Sequence, residues 1–163
     1  MKRLLLLCAL LAGLTLPAQA QDVGLDIGTR PAAVTLEDLD GKAVDLAQYI
    51  GRKPVLFEFW ATWCPLCRAL EPQLAAAQKR FGNKLDIIVV AVGVNQTPRS
   101  IKRHMDKHAL PGRVLWDGKG AAVRAFMAPG TSYIVILDRT GKVIYTGAGS
   151  EQELASVLAR AVR

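Results

Sequence analysis

Two cysteines separated by two residues are the side chains in this sequence with the clearest capacity for chemistry. Cys64 and Cys67 lie in the segment WATWCPLC, residues 60–67, which leaves a predicted buried strand and enters a predicted helix. That context indicates a redox pair. Cys64 would begin the helix, where free N–H groups and the helix dipole stabilise the thiolate that attacks a disulfide. Cys67 lies one turn further on, close enough to form a disulfide with Cys64 and to resolve a mixed disulfide.

The alternatives for this pair are a purely stabilising disulfide and half of a zinc site. Zinc needs about four ligands. The only other cysteine is Cys8, in the N-terminal segment, and the two histidines, His104 and His108, fall on a different predicted helix. A disulfide closing so small a loop saves little entropy. We therefore favour redox chemistry and expect neither a metal nor a cofactor.

The N-terminal segment has the pattern of a secretory signal peptide. A basic start, Met1–Arg3, precedes an apolar run at 4–16 and the small residues of Pro17–Ala20. We expect cleavage before Gln21; an uncleaved anchor is the alternative, but the run is short for a bilayer span. The predicted organisation is therefore a signal peptide at 1–20, a flexible lead-in at 21–30 and one domain at 31–163. Export would place the cysteines in a compartment where disulfides persist.

Composition narrows the class of protein further. The chain has 163 residues, of which 51% are hydrophobic and 21% charged, which excludes a disordered chain. Three cysteines exclude a disulfide-knotted scaffold. The formal net charge is +7, but no basic run is interleaved with aromatic residues, so we expect no nucleic-acid partner. We expect a monomer.

Apolar patterns and turn residues predict a mixed α/β order. A short strand at 33–36 and a turn at 38–42 begin the domain. The predicted elements that follow are a buried strand at 54–60, a helix at 65–81, a strand at 85–94, a helix from Thr97 to about Ala109, a short helix at 121–126, a strand at 133–137, its hairpin partner at 142–146 and a last helix opened by a Ser150–Glu153 capping box. The order of elements in the first half of the domain requires a parallel pair of strands joined by a crossover helix. The order in the second half requires an antiparallel pair of strands. The result is a mixed sheet with helices on both faces.

The segment FWATWCxxC, residues 59–67, is similar to the active site of the exported TlpA/ResA-like thioredoxins. The similarity extends through LDGK at 39–42, KPVL at 53–56, Pro72 and LDRTGK at 137–142. It implies a thioredoxin fold with an N-terminal β-hairpin extension and periplasmic thiol-disulfide exchange. It also implies cysteine-containing exported proteins as substrates, a membrane electron donor and, for many members, a part in cytochrome c maturation. Of the two directions we expect disulfide reduction.

Glu58 is the one carboxylate inside the apolar run at 55–60. A buried carboxylate is costly unless it is paired or protonated. The related thioredoxins carry an acid six residues before the first cysteine, which exchanges protons with the second. Glu58 has that offset, so we expect it to assist proton transfer at Cys67 with a pKa raised by burial. The alternative is an edge-strand residue that reaches solvent or pairs with a lysine.

Four further residues are predicted to support the site. Trp63 either shields Cys64 or simply packs, and Pro65 sets the start of the helix and contributes no N–H. By alignment with the family, the position of its cis-proline falls on Ser132, after Thr131. We expect a trans bond there, because a cis bond before a non-proline residue costs about 2.5–4 kcal/mol. In the family the cis-proline shapes the substrate groove, so its replacement by Ser132 affects how the substrate docks.

Glu71, His104 and His108 are predicted to be solvated helix residues. The two histidines lie four apart and could present two metal ligands, but too few other ligands accompany them.

Two other functions compete with the oxidoreductase. A thioredoxin-like chaperone could hold copper or apocytochromes without turnover, but copper-delivering relatives have a wider cysteine spacing. A peroxidase is disfavoured because Ala61 stands three residues before Cys64, where peroxiredoxins have threonine.

Overall fold

The computed structural model describes residues 24–163, which are built on one seven-stranded mixed sheet. The strands are β1 (Thr35–Glu37), β2 (Ala43–Asp45), β3 (Val55–Trp60), β4 (Asp86–Val92), β5 (Arg113–Asp117), β6 (Tyr133–Leu137) and β7 (Val143–Gly147). The helices are α1 (Pro65–Phe81), α2 (Pro98–Met105), α3 (Ala121–Ala125) and α4 (Leu154–Ala161). The strand order is β2-β1-β5-β4-β3-β6-β7. The predicted mixed sheet is confirmed, and the predicted signal peptide, residues 1–20, lies outside the described residues.

Strand β3 is an interior strand that leads directly to the cysteines. It pairs parallel with β4 and antiparallel with β6, and all six of its residues are buried, as its apolar run predicts. On one face Leu56 belongs to a core cluster with Leu70 of α1 and Leu154 of α4. On the other face, Phe57 packs against Phe126 after α3, with ring centroids 4.8 Å apart. Helices therefore cover both faces, as expected.

Strand β5 is an element that sequence patterns did not predict. It pairs parallel with β4, and Trp116 is the register partner of Glu37 in β1. The predicted N-terminal hairpin of β1 and β2 is confirmed, and β5 joins it to the main sheet. Only three apolar residues mark β5, between charged ends, which is too short a pattern to identify a strand.

Two helix boundaries differ from the prediction. Helix α2 ends at Met105, four residues early, although the predicted Thr97 cap is present. The predicted capping box at Ser150 is wrong: α4 begins at Leu154, and Glu153 makes no side-chain cap. The buried side chain of Gln152 explains the delay. Its Nε2 donates to the carbonyls of Gly149, at 2.7 Å, and Ser132, at 3.2 Å, which holds this segment as a loop.

Residues 24–30, predicted as a flexible lead-in, hydrogen-bond to the sheet. The N–H of Gly28 donates to the Val143 carbonyl at 2.7 Å, and the N–H of Val143 donates to the Thr29 carbonyl at 2.8 Å. The N–H of Leu25 donates to the hydroxyl of Tyr133 at 3.1 Å. Within residues 24–163, every helix is too short or too polar to cross a membrane.

Candidate active site

The cysteine pair lies where β3 gives way to α1. Cys64 is the N-cap of the helix, with an extended backbone, and Pro65 occupies the first turn, where a missing N–H costs nothing. Cys64 Sγ accepts a hydrogen bond from the N–H of Cys67 at 3.0 Å. The two cysteines form a disulfide, with their Cα atoms 5.4 Å apart. The predicted placement of the pair at a helix start is confirmed.

The two sulfurs differ in their access to the surface. Cys64 is 4% exposed and Cys67 is completely buried, with its Sγ 3.9 Å from the Phe59 carbonyl oxygen. Trp63 and Leu66, which flank Cys64 in the chain, are each 47% exposed. Trp63 is held in place, because its Nε1 donates to the Val94 carbonyl at 2.8 Å. A partner protein would therefore meet Cys64, bordered by apolar side chains, before it met Cys67.

Gln96 fixes the loop that carries the cysteines, and no sequence pattern indicated it. Its Oε1 accepts the N–H of Thr62 at 2.9 Å, and its Nε2 donates to the carbonyl of Val92 at 2.7 Å. The side chain is buried, so these bonds tie the loop before Cys64 to the end of β4. A lone amide in a loop has no periodicity, which is why its role is visible only in three dimensions.

Ser132, the residue aligned with the cis-proline position, is joined to the end of β3 at Phe59, whose carbonyl oxygen lies 3.9 Å from Cys67 Sγ. All peptide bonds in residues 24–163 are trans, the bond before Ser132 included. Its φ is +62°, a left-handed conformation that a non-glycine residue rarely adopts. The N–H of Ser132 donates to the Phe59 carbonyl at 2.8 Å, and its Oγ accepts the N–H of Gly149 at 3.2 Å. The neighbouring Thr131 is half-buried.

Glu58 is buried within β3, with 1% of its surface exposed. Its register partners are Val89 of β4 and Ile134 of β6, so the edge-strand alternative is wrong. Among the described residues, Glu58 Oε1 has no hydrogen-bond partner. Burial, and then the negative charge of Glu71, raise the pKa of Glu58 to about 8, in the direction that the sequence predicted. A carboxyl with such a pKa can take up and release a proton close to neutral pH.

The prediction of a solvated side chain is wrong for His104, whose Nε2 is buried. Glu71 is half-buried on α1, and His104 is half-buried on α2, with its ring centroid 5.3 Å from that of Trp60. His108 is exposed, as predicted. Apolar packing explains the difference, since Trp60 covers one edge of the His104 ring. In the described part of the chain, no three His, Cys, Asp or Glu residues are grouped so as to hold a metal ion.

Comparison with known proteins places this site in a family. A family model described as Redoxin matches residues 23–161. The chain belongs to the Redoxin family. The thioredoxin-like protein YneN of Bacillus subtilis is 30% identical over 142 residues, which cover 85% of this chain and 82% of YneN. The thiol-disulfide oxidoreductase ResA of the same organism is 26% identical over 150 residues, which cover 92% of this chain and 83% of ResA.

Solved structures agree on the fold of this Redoxin-family chain. A crystal structure from Chlorobium tepidum, described as a DsbE-type thiol:disulfide interchange protein, matches with a TM-score of 0.76 at 23% identity. The match covers 85% of this chain and 99% of that one. The fold is therefore thioredoxin-like. Together with the Cys64–Cys67 disulfide, the family assigns the chain as a thiol-disulfide oxidoreductase of the TlpA/ResA type.

Proposed function

We propose that this Redoxin-family chain is a periplasmic protein disulfide reductase in which Cys64 attacks, Cys67 resolves and Glu58 accepts the proton of Cys67. One observation carries the proposal: the sulfur nearest the surface, Cys64 Sγ, caps α1 and accepts the Cys67 N–H at 3.0 Å. That hydrogen bond and the helix dipole favour negative charge on Cys64, and only a thiolate attacks a disulfide.

The proposed reaction consists of two successive thiol–disulfide exchanges. The Cys64 thiolate attacks one sulfur of the substrate disulfide, so that a Cys64–substrate bond forms and the first substrate thiolate leaves and takes a proton from solvent. The Cys67 thiol then gives its proton to the Glu58 carboxylate. The Cys67 thiolate attacks Cys64 Sγ, which forms the Cys64–Cys67 disulfide and releases the second substrate thiolate. The substrate gains two electrons, and the protein dithiol loses them.

The surrounding residues support substrate docking in this proposal. Trp63 is held by Val94 and shields one side of Cys64. Pro65 starts the helix without an N–H of its own. We expect Thr131 and Ser132 to form another edge of the docking surface, since Ser132 is bonded to the Phe59 carbonyl. Because Ser132 keeps a left-handed φ through its bonds to Gly149 and Gln152, the docking edge is rigid without a proline.

We infer the reductive direction from the small number of groups placed to stabilise a Cys64 thiolate. The residues between the cysteines, Pro65 and Leu66, carry no charge and no side-chain donor, so the Cys64 thiolate relies on one N–H and the helix dipole. Strong oxidants owe their potential to a stabilised reduced form. We expect a Cys64–Cys67 potential of about −270 mV, measured by equilibration with glutathione or dithiothreitol buffers and alkylation. A potential near about −120 mV would instead mark an oxidant.

The proposed location and partners rest on the N-terminal segment and on the similarity to ResA. Cleavage before Gln21 would release a monomer into the periplasm, where it reduces cysteine pairs of exported proteins, those of cytochrome c maturation among them. A membrane electron donor would return it to the dithiol. Intact-mass analysis of the protein from a periplasmic extract tests this, because it should find Gln21 as the first residue; a full-length mass would contradict cleavage.

A further inference from the structure

A single turn of the chain delivers Cys64 to the start of α1. The N–H of Cys64 donates to the Ala61 carbonyl at 3.1 Å, which closes a β-turn whose two central residues are Thr62 and Trp63. In such a turn the N–H of the first central residue has no partner within the turn itself. A partner for the Thr62 N–H must therefore come from elsewhere in the fold.

The loop between β4 and α2 binds both central residues of this turn. The Thr62 N–H donates to Gln96 Oε1 at 2.9 Å, and Trp63 Nε1 donates to the Val94 carbonyl at 2.8 Å. Gln96 is buried, so water competes little for its amide. The position of the turn, and of the cysteine that follows it, is thus tied to a loop more than thirty residues further along the chain.

The rest of the Gln96 amide is bonded to the strands below the turn. Its Nε2 donates to the carbonyl of Val92, at 2.7 Å, and to that of Trp60, at 3.4 Å. Val92 ends β4 and Trp60 ends β3, and the two strands are neighbours in the sheet. An amide offers one acceptor oxygen and two N–H donors, and Gln96 uses all three. One side chain therefore fixes the turn relative to the rigid ends of two interior strands.

The oxidation state of the cysteines changes what holds Cys64 in place. In the disulfide, Cys64 is bonded covalently to Cys67, with the Cα atoms 5.4 Å apart. In the dithiol that bond is gone. The turn alone must then keep Cys64 Sγ where it accepts the Cys67 N–H, a hydrogen bond of 3.0 Å. A contact that restrains the turn therefore stabilises the reduced form more than the oxidised form.

We propose that Gln96 is a positioning residue for the reaction, which keeps Cys64 at the N-cap of α1 through the Thr62 N–H when the disulfide is open. The proposal rests on the proposed function, in which Cys64 is the attacking thiol. A contact that stabilises the reduced form raises the potential of the pair. Loss of Gln96 should therefore slow attack by Cys64 and at the same time make the protein a stronger reductant.

Gln96→Met tests this proposal, because methionine fills a similar space but donates no hydrogen bond. We expect iodoacetamide at pH 7 to alkylate Cys64 of the reduced variant about fivefold more slowly, the effect of about one net hydrogen bond. Equilibration with glutathione converts the dithiol and one glutathione disulfide into the protein disulfide and two glutathione thiols. That equilibrium should shift about fivefold towards the protein disulfide, a potential about 20 mV more negative. Unfolding would instead expose buried Cys67 to alkylation.

A double-mutant cycle isolates the bond between Gln96 and Thr62. Thr62→Pro removes the N–H that Gln96 accepts, at the first central position of the turn, where proline is favoured. In that background Gln96→Met should change the alkylation rate of Cys64 by less than about twofold, because the bond is already absent. An equal effect of Gln96→Met in both backgrounds would overturn the proposal, as would an unaltered rate and potential in the single variant.

Gln78→Met is the matched control, at an exposed position on α1, and should stay within about twofold of the unchanged protein in both measurements. The unchanged protein distinguishes the two levels of the argument. If its Cys64 reacts no faster than a cysteine in an unfolded peptide, the proposed function fails. If its Cys64 reacts faster and Gln96→Met reacts equally fast, only the positioning role of Gln96 fails.

Discussion

Replacing Cys67 with serine is expected to abolish turnover and to trap the protein as a mixed disulfide through Cys64. The Cys64 sulfur keeps its place at the N-cap, because the bond that it accepts comes from the backbone N–H of residue 67. The first attack therefore proceeds, but no thiol remains to release the substrate. We expect insulin reduction to fall by about a thousandfold or more, as for loss of a nucleophile, while one equivalent of substrate is retained.

Cys64→Ser is the matched variant, and it should behave differently. Its remaining thiol, Cys67, is completely buried, so we expect loss of turnover with no trapped substrate. Non-reducing gels and intact-mass analysis after incubation with a disulfide peptide distinguish the two variants. Trapping through Cys67 in Cys64→Ser would reverse the assigned roles. Alkylation of the reduced protein at pH 7 gives a second check, since Cys64 should react faster than a cysteine in an unfolded peptide.

The placement of the cysteines was predictable because its signals are local and strong. The apolar run at 55–60 is too continuous for a half-exposed strand, and Pro65 suits the first turn of a helix. A strand leading into a helix at Cys64 follows from those two features. Glu58 was predictable for a related reason, since a single carboxylate within an apolar strand either is paired or has an altered pKa.

The rest of the site depends on contacts that no local pattern encodes. Gln96 bonds to Thr62, which lies 34 positions away in the chain, and His104 is half-buried against one aromatic ring, Trp60, on a distant strand. The capping box at Ser150 was wrong for a similar reason. Gln152 bonds to the carbonyl of Ser132, and that tertiary contact prevails over the local preference of the sequence to begin a helix.

Glu58→Gln is expected to slow disulfide exchange and to remove the rise in the rate of resolution that ionisation of Glu58 causes. The pKa of Glu58 is raised to about 8, so the carboxylate that accepts the Cys67 proton is the minor form at pH 7 and increases as the pH rises. The rate of resolution should therefore rise through about pH 8 in the unchanged protein. Glutamine cannot accept the proton, so we expect a loss of about a hundredfold. Equal rates in the two proteins from about pH 6 to 9 would refute this role of Glu58.

The same substitution is expected to stabilise the fold above pH 5. In the unfolded chain Glu58 ionises near pH 4.5, whereas in the folded protein it keeps its proton to about pH 8. Between these values the folded state binds more protons than the unfolded state, so the free energy of unfolding falls as the pH rises. The loss is on the order of 3 kcal/mol by pH 7, and Glu58→Gln avoids it because its amide does not ionise.

Urea unfolding of both proteins at pH 5 and pH 8 measures this effect. Other carboxyls with shifted pKa values, those of Asp38 and Asp138, are lowered and stay ionised across the window, so they cancel in the comparison. We expect the two proteins to converge towards pH 5 and the variant to be more stable at pH 8. Glu151→Gln, an exposed change of the same kind, should show no such divergence. A slower variant that is also more stable cannot owe its slowness to misfolding, so both results together would assign Glu58 to the chemistry, at a cost to the fold.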